Sequence, residues 1–358
     1  MKLQTVIYSS ILLILASCGI TPCEQQPEAD ALKLNVRAGL QDCGTKVPVF
    51  PSGDPDGEGN YAMPDGSSYG LFICKHSESS PNPYTAHSAN YNNIKVSKTG
   101  VSNWSFTYGN RTDGSMYILI QSETVAEVEK PVTADIFAYS PYNKDITSPE
   151  AIPYQFSLQE DLMYAAQNMT EEYKNIDPKT ATPNPYPVNL LFKHALALLE
   201  FNFRLKNTVA GFSSASLSKI SVTAGNPDPT EKLYTEGVFN SVAGTVTGST
   251  TGDLSIAMTN AQLSAASPSV TVYMLMMPTS DYQNNDFKFT FQFDNVEITS
   301  SPFLLKREHL KHSDGTTYGL QAGYKYSFNF VLDNYLHFSG VQTGEWTTED
   351  EPLINTEI

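Results

Sequence analysis

The residues with the clearest metal-ligand spacing are three carboxylates in the loop between Cys43 and Gly70. Asp54, Asp56 and Glu58 occupy alternate positions, and a glycine follows them. This pattern is typical of calcium loops, because Ca²⁺ prefers several hard oxygen ligands. The glutamate, and the proline between the two aspartates, are atypical of such loops. An acidic, solvated turn is therefore the favoured interpretation, and a calcium site is the alternative.

The histidines do not indicate a catalytic centre. His309 and His312 are the only close pair, and Lys306, Arg307 and Lys311 surround them. A cation-rich neighbourhood disfavours a metal ion, so we interpret this segment as a solvated loop.

A further histidine, His194, lies in an apolar stretch, where a hydrogen-bonded core histidine is favoured over a ligand. The chain contains no Gly-x-Ser-x-Gly, P-loop or dinucleotide-binding motif. Carboxylate pairs for glycosidase chemistry cannot be singled out among 38 acidic residues. The sequence thus assigns no catalytic residue and no cofactor, and a secreted hydrolase stays as an alternative.

The N-terminus predicts export. A lysine at position 2 precedes the apolar run 6–16, and the run ends in the sequence Leu-Ala-Ser-Cys at Cys18. An apolar run this short, with small residues after it, predicts a signal peptide over residues 1–17 rather than a membrane span. The last four residues resemble the lipobox of bacterial lipoproteins, in which the cysteine is acylated and becomes the new N-terminus. The resemblance implies that Cys18 carries a lipid anchor in the membrane.

Three cysteines remain if Cys18 carries lipid. An odd number in an oxidising compartment permits one disulfide and one free thiol. Cys43 and Cys74 are the favoured pair, because both lie in the part of the chain that is expected to fold. Cys23 lies in residues 18–31, which are rich in Pro, Glu and Gln and therefore predict a flexible tether.

The charge balance excludes one class of partner. The formal net charge is −16, so the phosphate backbone of nucleic acid would be repelled rather than neutralised. Charged residues make up only 17% of the chain, while Tyr, Phe, Ser, Thr, Asn and Gly are abundant. This composition favours strands and turns on an exported protein.

Alternating apolar and polar residues predict strands through most of the chain. The clearest run is Phe287–Phe293, in which phenylalanine occupies every second position. One buried and one solvent face are typical of antiparallel sandwiches. Leu158–Lys174 has a helix-forming composition, and we predict a helix there. The proline-rich segment 176–187 predicts a domain boundary, with an N-terminal β-sandwich domain at 32–180 and a C-terminal one at 181–358.

After the lipobox cysteine, five segments carry a family resemblance in a fixed order. They are Leu32–Gly39, Ala134–Tyr142, Asp161–Ala165, Val188–Phe203, and Ala322–Phe328 followed by Trp346. Within the fourth segment, Phe192, His194 and Ala195 match a family signature. Together the segments resemble the fimbrillin family of Bacteroidetes, particularly its Mfa-like branch of FimA-type pilins.

The resemblance implies a mainly β fold of two tandem transthyretin-like β-sandwich domains, with some helix in the first. It also implies assembly by strand exchange: an Arg-specific protease cuts after an arginine near the first strand, and a strand of a neighbouring subunit fills the groove that opens when this strand is lost. Arg37, inside Leu32–Gly39, is the matching position. Only twelve residues follow Trp346, and Glu349, Asp350 and Glu351 are among them. A long apolar donor strand is therefore not evident, and stalk, tip and anchor positions stay open.

The expected function is that of a fimbrial subunit or fimbria-associated adhesin, lipid-anchored at the outer membrane and exposed at the cell surface. The expected partners are other fimbrial subunits, or ligands on host or bacterial surfaces. A stand-alone glycan-binding surface lipoprotein is the alternative, because exposed Tyr and Trp side chains on sandwich loops are common sugar platforms.

Overall fold

Strands dominate the computed structural model. It describes residues 32–40, 66–76, 82–83, 92–99, 103–108, 111–113, 116–118, 122–125, 128–131, 134–165, 186–206, 214–258, 261–280, 282–294, 302–312, 314–333 and 335–346. Short 3₁₀ helices occur at Phe156–Leu158 and Arg307–Leu310. The prediction of a mainly β chain is confirmed.

The strands before the proline-rich segment are numbered in chain order. They are β1 (Leu32–Leu40), β2 (Ser68–Lys75), β3 (Asn82–Pro83), β4 (Ile94–Thr99), β5 (Asn103–Tyr108), β6 (Arg111–Asp113), β7 (Met116–Ile118), β8 (Ser122–Val125), β9 (Val128–Pro131), β10 (Ala134–Ser140), β11 (Ile152–Gln155) and β12 (Met163–Ala165).

The strands after that segment continue the numbering. They are β13 (Tyr186–His194), β14 (Ala197–Leu205), β15 (Ser214–Ala224), β16 (Tyr234–Asn240), β17 (Thr245–Thr251), β18 (Leu254–Ala257), β19 (Gln262–Ser264), β20 (Ser269–Met276), β21 (Phe287–Asp294), β22 (Phe303–Leu304), β23 (Tyr324–Leu332) and β24 (Leu336–Glu345).

The first sheet has the order β6-β5-β4-β2-β10-β12-β13-β1-β7, and β3 also pairs with β2. Its centre is buried on both faces, since all seven residues of β10 are buried. Tyr139 on β10 lies opposite Gly70 on β2. A Cβ at Gly70 would come within 2.1 Å of the Tyr139 ring, so glycine at this position leaves room for the ring beside the neighbouring strand.

The first strand of the chain lies inside this sheet, not at its edge. β1 pairs in parallel with β13, with Leu34 opposite Tyr186 and Leu40 opposite Phe192. On its other side, β1 pairs antiparallel with β7. Parallel neighbours need a long connection, and here the connection contains most of the N-terminal half of the chain.

The later strands form two sheets that pack face to face. One sheet has the order β20-β14-β23-β24, and the other has the order β18-β15-β21-β22 with β19 also on β15. Phe201 on β14 contacts Phe289 and Phe291 on β21, with ring centroids 5.4 and 5.3 Å apart. The alternating phenylalanines of β21 therefore fill the space between the two sheets, as expected for a β-sandwich. A smaller sheet, β11-β16-β17, and a β8-β9 hairpin complete the described strands.

One detail of the fold differs from the sequence-based expectations. The predicted helix at Leu158–Lys174 is wrong for its first part, because Met163–Ala165 forms β12, which pairs with β10 and β13; residues 166–174 lie outside the described residues. The change of sheet falls between β13 and β14, and β13, which begins at Tyr186 within the proline-rich segment, belongs to the first sheet.

Buried side chains from both halves of the chain belong to one hydrophobic cluster, which includes Phe72 and Phe137 as well as Phe201 and Phe328. The division into two domains stays a prediction. In the part of the chain that the structure describes, no helix is long and apolar enough to cross a membrane.

Candidate functional site

Most of the site residues predicted from the sequence lie outside the described residues. These are Cys18, Cys43, Asp54, Asp56 and Glu58, so the lipid anchor, the disulfide and the calcium loop stay predictions. Among the described residues, no three His, Cys, Asp or Glu side chains are grouped to hold a metal ion.

Arg37 lies in the middle of β1, at the register position opposite Asn189 of β13. It is therefore placed on a strand with a neighbour on each side. A protease needs an extended segment free of sheet partners, so cutting here requires β1 to leave the sheet or to be cut before it pairs.

Cys74 on β2 is fully buried and forms no disulfide with a described residue. It lies opposite Asp135 of β10, and His76 Nδ1 lies 3.0 Å from the Asp135 carboxylate. Burial, together with the negative charges of Asp135 and Glu150, raises the pKa of the Cys74 thiol to about 12. The thiolate is thus disfavoured, and in this form Cys74 is a packing residue rather than a nucleophile.

Three of the sequence motifs meet at His194, at the end of β13. His194 Nδ1 lies 2.8 Å from Asp161 Oδ2, and Trp346 stacks on the imidazole with ring centroids 3.7 Å apart. The prediction of a hydrogen-bonded core histidine is confirmed. A His–carboxylate pair is also the arrangement of a general base, but the His194 side chain is only 3% exposed and the indole covers one face. No substrate can reach this ring in the observed packing.

Backbone hydrogen bonds connect the same three segments. The Ala195 N–H donates to the Leu162 carbonyl at 2.7 Å, and the Trp346 N–H donates to the Gly323 carbonyl at 2.8 Å. The Gly323 N–H in turn donates to Leu196. These contacts join the first sheet to β14 and to the end of β24. The cluster of Asp161, His194 and Trp346 therefore has a structural role, because it holds these three parts of the fold together.

The interpretation of His309 and His312 as part of a solvated loop is wrong. Both side chains are buried. His309 stacks on Phe303 at 5.5 Å, and His312 Nε2 lies 2.9 Å from the Tyr326 hydroxyl. The basic residues nearby are exposed. Their charges therefore indicate only the solvent-facing side of this segment, while the two histidines lie on its buried side.

An open groove of about 800 Å³ lies beside the β11-β16-β17 sheet. Its wall is the loop 141–145, which begins at the cis peptide bond between Ser140 and Pro141. Its floor contains residues of β11 and β16 together with Leu158, and Glu160 lies at its rim. The sequence analysis did not single out this groove, because its lining comes from four separated segments of the chain.

The groove contains two tyrosines in different settings. Tyr154 is buried, and its hydroxyl donates to the Glu160 carbonyl at 2.5 Å. Burial raises the pKa of this hydroxyl well above its usual range, so Tyr154 remains a neutral hydrogen-bond donor. Tyr142 is half-buried, and Lys95 Nζ lies over its ring, 5.6 Å from the centroid.

Comparison with protein families gives one match across most of the chain. The sequence model of a family described as "Fimbrillin-like" matches residues 70–350. This range contains four of the five motifs and ends just after Trp346. No curated protein matches the sequence significantly.

Two solved structures share the fold. A candidate cell adhesion protein from Bacteroides uniformis has a TM-score of 0.52 and 18% identity, with 90% of this chain and 100% of that chain covered. A candidate cell adhesion protein from Bacteroides ovatus has a TM-score of 0.51 and 15% identity, with 88% and 97% covered. At such low identity the similarity establishes the fold alone.

Proposed function

The chain belongs to the fimbrillin-like family, and on that premise we propose that it is a fimbrial subunit or fimbria-associated adhesin with a structural rather than enzymatic role. Its partners are other fimbrial subunits or ligands on host or bacterial surfaces. The description of the two similar solved proteins as candidate cell adhesion proteins agrees with this role.

The pairing of β1 supports assembly by strand exchange. β1 is paired in parallel with β13 along seven residues, and on β13 the alternating side chains Val188, Leu190 and Phe192 are buried. If cleavage after Arg37 removed residues 32–37, β13 would lose its backbone partner from Tyr186 to Asn189, where the buried Val188 lies, while residues 38–40 would remain on the chain. A strand from another subunit, with a similar alternation of apolar and polar side chains, can restore those hydrogen bonds. This mode of binding is β-augmentation.

An Arg-specific protease tests this assembly step. We expect cleavage after Arg37, followed by oligomers whose mass increases with protein concentration in analytical ultracentrifugation. The Arg37→Gln variant is the control: it should stay uncut at this position and monomeric. A clipped wild-type product that remains monomeric at every concentration would exclude strand exchange and leave a tip, anchor or stand-alone role.

The proposal places the protein at the outer membrane through a lipid on Cys18. Cys18→Ala should abolish acylation, and the variant should accumulate unprocessed or be released from membranes. Mass spectrometry of the N-terminal peptide checks this directly. A processed Cys18→Ala species that still partitions into detergent would contradict the lipid anchor, without bearing on the fold.

A stand-alone glycan-binding lipoprotein is the second candidate, and the groove beside β11 is the observation that favours it. The groove is large enough for a few sugar rings, and the carboxylates that line it can accept hydrogen bonds from sugar hydroxyls. Binding of a soluble oligosaccharide by the purified protein, with no filaments on cells by electron microscopy, would favour this function over the fimbrial one.

A further inference from the structure

The floor of the groove exposes aliphatic side chains. Leu158 is 46% exposed and Val238 is 38% exposed, and Pro153 lies directly opposite Val238 in the β11–β16 register. All three line the groove. Exposed apolar side chains that share one concave surface are typical of a binding site, because a ligand that covers them removes their area from water.

The rim of the groove is acidic. Asp145, Glu160 and Glu236 line it, together with one cation, Lys144. Among the residues that the structure describes, no salt bridge neutralises any of the three carboxylates; Glu236 accepts a hydrogen bond from Thr250 at 2.8 Å. The groove therefore presents excess negative charge around an aliphatic floor, and this is complementary to a cationic ligand.

The aromatic side chains are poorly placed for sugar stacking. The Tyr154 ring is 5% exposed, so it offers little surface to a ligand. Lys95 Nζ already lies over the Tyr142 ring. An aliphatic floor suits the side chains of a peptide better than the face of a sugar ring, which stacks best on an open aromatic ring.

We propose that the groove binds a peptide segment of another protein in which basic and aliphatic side chains alternate. Its aliphatic side chains cover Leu158 and Val238, and its Lys or Arg side chains approach Glu160 and Glu236. The proposal does not depend on lipid anchoring or on strand exchange at β1, because none of the groove residues belongs to β1 or to β13.

Synthetic peptides provide the probe. Three acetylated hexapeptides are used, in which Val alternates with Lys, with Glu or with Ser. Each is titrated into the full-length mature protein by calorimetry, up to a peptide concentration of about 1 mM. A neutral oligosaccharide of glucose is titrated in parallel. We expect the Lys peptide to bind more tightly than the Ser peptide and the Glu peptide not to bind, and we expect salt to weaken the Lys peptide's binding.

Two variants locate the binding. Glu160→Gln with Glu236→Gln keeps the side-chain shape, and it should weaken binding of the Lys peptide roughly tenfold. The double variant Val238→Ser with Leu158→Ser should weaken the binding of the Lys peptide and of the Ser peptide by similar factors. The matched control is Asp228→Asn with Asp253→Asn, which changes the net charge equally at exposed positions outside the groove.

Thermal unfolding of each variant confirms that it is folded. If the groove and control variants weaken binding of the Lys peptide equally, the peptide responds to the net negative charge of the protein and not to the groove. This result would overturn the proposal. Failure of the Lys peptide to bind, or tighter binding of the oligosaccharide at the same groove residues, would overturn it as well.

Discussion

The imidazole of His194 lies parallel to the indole of Trp346, with the ring centroids 3.7 Å apart and the planes inclined by 10°. These two residues are separated by most of the C-terminal half of the sequence, and each belongs to a different family motif. Trp346 is 1% exposed, and its Nε1 has no hydrogen-bond partner among the described residues. The indole thus stabilises the structure by packing and stacking alone.

Trp346→Ala should destabilise the protein strongly, because it removes a buried aromatic side chain and leaves a cavity beside His194. We expect a loss of about 3 kcal/mol or more in the free energy of unfolding. Trp346→Phe should lose clearly less, since it keeps a ring on His194 and sacrifices no hydrogen bond. Urea unfolding measures both. Tyr335→Ala, at an exposed aromatic residue, is the control and should change little.

Asp161→Ala should also destabilise, by about 1–3 kcal/mol, because it leaves His194 Nδ1 buried without a partner. Asp161→Asn should retain part of this stability. If Asp161 and Trp346 both act by holding His194, the double variant Asp161→Ala with Trp346→Ala should lose less than the sum of the two single losses. Strictly additive losses would show that the two contacts act separately.

His309 should make stability depend on pH near neutrality. Burial, with Lys306 adding to it, lowers the pKa of His309 below 6.5, although Glu308 opposes the shift. The Lys306 N–H donates to His309 Nδ1 at 3.2 Å, which also requires the neutral ring. The stability from this site is fully present above pH 6.5 and is lost as the pH falls toward the lowered pKa.

An NMR titration of the histidine ring resonances checks the pKa of His309 directly. In His309→Phe the ring can still pack against Phe303 and Phe338, so the variant should fold. Its free energy of unfolding should change less between pH 7.5 and pH 5.5 than that of the wild type. These two pH values lie about one unit above and below 6.5. A pKa at or above 6.5 in the folded protein would contradict the prediction.

Cys74 should be inert in the folded protein. At pH 8 a thiol with a pKa of about 12 is almost wholly protonated, so an alkylating reagent should label it only after unfolding. Peptide mapping with and without reductant also tests the predicted pair. If Cys74 labels in denaturant without reductant, it is a free thiol; if it labels only after reduction, the predicted disulfide with Cys43 is present.

Cleavage in the proline-rich segment should not separate the chain into two pieces under native conditions. The segment 176–187 is predicted to be sensitive to proteases, but β13 begins at Tyr186 and pairs with both β1 and β12. Fragments cut at residues 176–185 should therefore elute together by size exclusion and separate only in denaturant. Two fragments that separate without denaturant would favour two independent domains.

Local alternation predicted the strands well, but the arrangement of the sheets depends on distant residues. Phe287–Phe293 is a strand because its period-two pattern specifies one buried face, and β21 confirms it. The segment around Met163 reads as helix by composition, yet it forms β12 because β10 and β13 supply backbone partners on both sides. Tertiary pairing of this kind overrides local propensity and leaves no local signal.

The candidate sites were harder to predict than the fold. His194 was correctly interpreted because its neighbours in sequence are apolar. His309 and His312 were misinterpreted because the basic residues beside them in sequence point outward while the two rings point inward. The groove has no sequence motif, since Tyr142, Pro153, Leu158 and Val238 become neighbours only when β11 pairs with β16.

The parallel pairing of β1 with β13 also affects the order in which the chain can fold. When a chain enters a compartment N-terminus first, β1 arrives early, but Tyr186 and its neighbours arrive only after the rest of the first sheet. The contact order of this pair is high, so β1 should be among the last strands to be incorporated. During that interval the edge of β1 that faces β13 is unpaired and accessible, although β7 can already pair with its other edge. Any enzyme, chaperone or subunit that acts on this edge competes with the chain's own β13.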